Sequence, residues 1–103
     1  MKIAVHREAC CSQDDQLGPL DMAFELDAQC RLDEFLAAVM GARFLQFSSS
    51  HTEMSCRIAG QEVARVFSPY AAPQQAMAFV AAPDAPVHSL APHGAIEFVF
   101  DRV

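Results

Sequence analysis

Apolar and polar positions change period along this chain, and the changes divide it into segments. Residues 2–11, K-I-A-V-H-R-E-A-C-C, hold β-formers and no breaker. They predict a strand with Ile3 and Val5 on one face and His6, Glu8 and Cys10 on the other, because successive side chains leave a strand on opposite sides. Residues 12–19, S-Q-D-D-Q-L-G-P, are turn chemistry. Leu20, Met22, Phe24 and Leu26 then alternate with Asp21, Ala23, Glu25 and Asp27. That spacing predicts a half-buried antiparallel strand with one wet face, paired to the first strand as a hairpin.

The period lengthens over residues 31–40. Leu32, Phe35, Leu36, Val39 and Met40 share one helical face, with Asp33 and Glu34 in the first turn, where the helix dipole favours acids. Gly41 is placed to close this helix in a left-handed conformation. Phe44, Leu45 and Phe47 suggest an extended approach, followed by the loop S-S-S-H. Met54, Cys56 and Ile58 alternate with Glu53, Ser55 and Arg57, and residues 62–67 return. Gly60-Gln61 fits the two-residue turn between these strands. Ser68-Pro69 ends the returning strand.

Residues 74–82, Q-Q-A-M-A-F-V-A-A, admit two readings: a short helix of Ala, Met and Gln, or a strand ending in Phe79-Val80. Pro83, Pro86, Pro92 and Gly94 mark residues 83–94 as irregular. Ile96, Phe98 and Phe100 alternate with Glu97, Val99 and Asp101 in a terminal strand. The fold class expected is α+β, a single domain over residues 1–103. Its two layers are a mostly antiparallel sheet of about five strands and one main helix at 31–40, with a second short helix near 74–82 under the first reading.

Charge narrows the partners. The chain carries 13 acidic and 7 basic residues, a net charge of −6. Eight of the acids fall in residues 1–40, against three bases. Such a surface repels phosphate backbones, which excludes nucleic acid, and it suits a basic partner protein. No run of 18 apolar residues is present, so no membrane span is expected. The first residues lack an apolar signal core, which suggests a cytoplasmic chain with its four cysteines reduced.

Catalytic signatures are missing: there is no P-loop, dinucleotide fingerprint, H-E-x-x-H or G-x-S-x-G. Cys10 and Cys11 are neighbours on the predicted strand, so their sulfurs leave on opposite faces, and the chain has no C-x-x-C. His6 and Cys10 share a face, but four extended residues separate them by about 13 Å. A thiol or metal enzyme would thus have to assemble Cys10 or Cys11 with His6 or His51, or draw on Cys30 and Cys56, across the fold. The competing reading of Cys11, Cys30 and Cys56 is as small packing residues. Asp14-Asp15 lacks the calcium-loop pattern and reads as an acidic turn. The functional reading is therefore non-enzymatic protein binding with neither cofactor nor metal. Its candidate contact residues are His6, Arg7, Glu8, Asp14, Asp15 and His51. Self-association through an exposed sheet edge is a third reading.

At V-H-R-E-A-C-C-S-Q-D-D the chain resembles a group of small bacterial proteins that open with a V-H-R-like strand, then a Cys and, after two residues, Asp-Asp. The matching positions are Val5, His6, Arg7, Cys11, Asp14 and Asp15. The order of segments is also similar: an acidic alternating strand (Phe24 to Asp27), a helix (Leu32 to Val39), a small-residue loop (Ser48 to Ser50) and a hairpin (Met54 to Val66). The resemblance implies an immunity-type or accessory protein rather than an enzyme. The chain departs from the group at two points. It has no Trp at the start of the hairpin, where Met54 or Cys56 stands, and Cys30 replaces the Ser expected to cap the helix.

Overall fold

Strict alternation sets the first strand. In the computed structural model, which describes residues 1–9, 19–47, 51–68 and 77–100, β1 (Lys2–Arg7) buries Ile3, Val5 and Arg7 and exposes Lys2, Ala4 and His6. β2 (Asp21–Glu25) returns antiparallel to it, with Ile3 opposite Phe24 and Val5 opposite Met22, as the hairpin pattern predicts. The chain then forms the main helix, α1 (Leu32–Gly41), which buries Leu32, Phe35, Leu36 and Val39. β3 (Glu53–Ile58) and β4 (Gln61–Phe67) make the second hairpin, and β5 (Met77–Phe79) pairs with the outer edge of β4. A single helical turn, α2 (Val87–Leu90), precedes the last strand, β6 (Ala95–Val99).

The six strands lie in the order β2-β1-β6-β3-β4-β5. All neighbours are antiparallel except β1 and β6, which run parallel, so the sheet is mixed but mostly antiparallel. The sixth strand, beyond the five expected, is β5. It falls where one sequence reading put a helix over 74–82, residues 74–76 of which lie outside the described part. Met77 and Phe79 pair opposite Val66 and Ala64, and this cross-strand pairing outweighs the helix propensity of Met and Ala.

Two turns differ by a step from the pattern. The β3–β4 turn is Ala59-Gly60 rather than Gly60-Gln61, and both residues have positive φ (54° and 81°), as a type I′ hairpin turn requires. Gly41 is the last helical residue. The left-handed position after α1 is Arg43 (φ 55°), whose N–H bonds the Met40 carbonyl at 3.1 Å. At the other end of α1 no Ser is needed, because the loop before α2 supplies acceptors. Leu32 N–H bonds the Ala85 carbonyl and Asp33 N–H the Pro83 carbonyl, each at 2.9 Å. Glu34 adds a carboxylate oxygen 3.0 Å from the Arg31 N–H.

One core joins helix and sheet. Phe35 of α1 stacks on Phe98 of β6 (centroids 6.5 Å apart), and Phe24 of β2 meets Phe35 and Phe44 edge-on, each at 6.2 Å. Among the described residues no helix is long and apolar enough to cross a membrane.

Two substitutions test this packing. Phe98→Ala removes a ring with no solvent exposure and is expected to lower unfolding free energy by about 3–5 kcal/mol in urea titrations. Ala59→Gly relieves an L-residue held at positive φ and is expected to raise stability by about 1 kcal/mol in the same assay.

Candidate partner-binding face

The sheet face turned away from α1 has an ordered chemistry. Cross-strand registers place Ala23, Ala4 and Ala95 side by side on β2, β1 and β6. The next row carries Asp21 opposite His6, His6 opposite Glu97, Glu97 opposite Arg57 and Arg57 opposite Glu62. Acid and base or imidazole therefore alternate across five strands, the arrangement in which directly opposed side chains attract. Ala4 and Ala95, too small to fill the space beside this row, leave a depression of ≈ 360 Å³ lined also by His6, Asp21, Arg57 and Glu97 and by the hairpin tip at Ala59 and Gly60.

The row closes on local contacts. His6 Nδ1 lies 2.8 Å from Asp21 Oδ1, with both side chains more than half exposed. Arg57 Nε donates to Ser55 Oγ at 3.1 Å. Arg65 Nε reaches Glu62 Oε1 at 2.9 Å, and its Nη1 reaches Glu53 at 3.6 Å. Glu62 and Arg65 are three residues apart, and a regular strand would send them to opposite faces. A β-bulge resolves this: Cys56 opposes Ala64 while Arg57 opposes Glu62, so Val63 has no opposite residue and the phase shifts by one.

The residues singled out from the sequence separate into different environments. His6 joins the exposed row. Arg7, one position on, points the other way and has no solvent exposure. Its Nε donates to the Pro19 carbonyl at 2.9 Å, and its guanidinium sits 5.6 Å from the centroid of the Phe44 ring. Arg7 is thus an interior cation rather than part of the surface with His6. Glu8 and His51 each contact Phe100. Phe100 N–H donates to Glu8 Oε1 at 3.1 Å, and the His51 ring meets the Phe100 ring edge-on at 4.8 Å. Asp14, Asp15, Cys10 and Cys11 lie outside the described residues.

Neither described cysteine is poised for thiolate chemistry. Burial, with Glu62 nearby, pushes the Cys56 thiol up to about 12. Cys30 is also raised, first by desolvation and then by Glu34, Asp27 and Asp33. Both shifts run opposite to the depression that a reactive cysteine needs. Among the described residues no group of three His, Cys, Asp or Glu side chains is placed to hold a metal ion. No family profile, curated protein or solved structure matches the chain.

Sequence reasoning missed Asp21, Glu97, Arg57 and Glu62 as members of one row. Each was visible as the polar member of an alternating strand. Their alignment depends on the parallel register of β1 with β6, which no local pattern carries.

Three substitutions test these placements. Arg7→Ala is expected to cost about 2–3 kcal/mol, since it takes the donor from the Pro19 carbonyl and opens a cavity where a fully buried side chain stood. His6→Ala on the exposed side is expected to stay within about 0.5 kcal/mol, both measured by chemical denaturation. For Cys56 the folded state holds its proton more tightly than the unfolded state. The stability this contributes is complete below the ordinary value of 9.0 and is lost as pH climbs toward about 12. Urea midpoints on either side of that value should fall more steeply for the natural chain than for Cys56→Ala.

Proposed function

We propose that this chain is a non-enzymatic binding domain that acts in the cytoplasm and recognises a basic partner protein, in the manner of an immunity-type inhibitor. The observation that carries the reading is the outward row Asp21–His6–Glu97–Arg57–Glu62, exposed at Asp21 and His6 and half-buried beyond them, beside the depression at Ala4 and Ala95. Three of its five members are acids, on a chain whose net charge is −6. An excess of acids over bases steers basic partners and orients them on arrival. The depression adds a place for a protruding side chain. At Cys30 and Cys56 the direction of the shift disfavours thiol chemistry.

The test is capture from a lysate on the immobilised chain at low and high salt, beside a Glu97→Lys variant. The expected result is retention of basic proteins that weakens with salt and falls by about tenfold in the variant, because a like charge now faces the partner. Retention of acidic proteins, or equal retention by the variant, contradicts the reading.

A further inference from the structure

Among the described residues β2 is an edge strand of the sheet. In β1 the odd residues bond toward β2: Arg7 N–H donates to the Leu20 carbonyl at 2.8 Å, and Leu26 N–H donates to the Met1 carbonyl at 2.6 Å. The even residues bond toward β6, as Ala4 N–H to the Gly94 carbonyl and Glu8 N–H to the Phe98 carbonyl show. The register is regular from Lys2 opposite Glu25 to His6 opposite Asp21. Antiparallel geometry therefore sends the N–H and C=O of Asp21, Ala23 and Glu25 outward, away from β1. Among the described residues no strand pairs with that side.

A second observation concerns the opposite face of the same strand. Ile3 and Val5 of β1 are fully enclosed, but Met22, Phe24 and Leu26 remain partly exposed while packing against the core. The apolar layer thus runs past the end of its cover at β2. A further strand added there would supply partners for the outward backbone groups and enclose this seam.

Charge decides which strand. Asp21 and Glu25 are 78% and 76% exposed, and each meets its neighbour through one oxygen, Asp21 with His6 and Glu25 with the Met1 amine. Two copies meeting antiparallel about Ala23 would set Asp21 against Glu25, an opposition of like charges that disfavours self-pairing. The geometry points to a partner strand that presents two cationic side chains flanking a small one on the wet face, and apolar side chains on the other. The pattern acid–small–acid is symmetric, so it matches such a strand in either direction. This rests on the reading above that the partner is basic, and it adds how the partner attaches: by main-chain hydrogen bonds at the β2 edge, with the carboxylates selecting cations.

The probe is a labelled peptide with the core Lys-Val-Ala-Val-Lys, followed by fluorescence anisotropy against the whole chain, beside a control with Glu in place of Lys. Ala23→Pro removes one outward N–H, which β1 does not use, so edge strands tolerate it. Amide exchange of the β1–β2 hydrogen bonds verifies that the variant folds. The expected result is binding of the Lys peptide, at least about tenfold weaker binding to the folded variant, and no binding of the Glu peptide. Asp21→Lys with Glu25→Lys should exchange the two preferences. Equal binding to Ala23→Pro, equal binding of the Glu peptide, or self-association of the chain in its place overturns the edge site. If no peptide binds while lysate capture still depends on Glu97, the edge fails and the face reading stands.

Discussion

The last strand holds the molecule together. β6 lies between β1 and β3, parallel to the first and antiparallel to the second. Without it the chain would be a two-stranded ribbon and a separate three-stranded meander, and a lone ribbon is marginal in water. Its inward residues, Ile96 and Phe98, fill the centre of the core, where Phe98 stacks on Phe35 of α1. Its outward residues, Ala95 and Glu97, join the two halves of the exposed face. The same strand therefore completes the interior and the alanine and charge rows outside, and period-two alternation makes both follow from one register.

That alternation also explains why neighbours in the V-H-R segment have unrelated roles. His6 stands in the exposed row and Arg7 beneath the sheet, although both are polar and adjacent. A buried guanidinium is costly unless its donors are met and its charge is compensated. Here the Pro19 carbonyl and the Phe44 ring supply part of that environment, and they tie the approach to β2 and the segment after α1 to β1. Arg7 is thereby a fastening between segments distant in sequence, and arginine suits this better than lysine because its planar head stacks while it donates.

Much of the architecture was legible in local pattern. The two hairpins, the helix buried through Leu32, Phe35, Leu36 and Val39, and the terminal strand all follow from periods of 2.0 and 3.6. The face of Ile3 and Val5 was equally clear, and Arg7 belonged to it by parity. Other features were not local. Met77 and Phe79 become a strand because β4 offers an edge. Arg31 begins the helix without a Ser cap because the backbone at Pro83 and Ala85 arrives to accept its N–H groups. The exposed row needed the parallel β1–β6 register and the bulge at Val63, neither of which leaves a mark in a window of ten residues. Of the contact candidates, His6 entered the row while Glu8 and His51 each met Phe100; Glu8 and Phe100 are 92 positions apart, a contact that only the fold supplies.

The core and the outward row both require β6 to lie beside β1. Nuclear Overhauser spectra of labelled protein test this directly. The Ala4 and Glu8 amides should show contacts to Gly94 and Phe98, and the His6 side chain should show contacts to both Asp21 and Glu97. Contacts from β1 to β3 in place of β6, or an antiparallel pattern between the first and last strands, would contradict it.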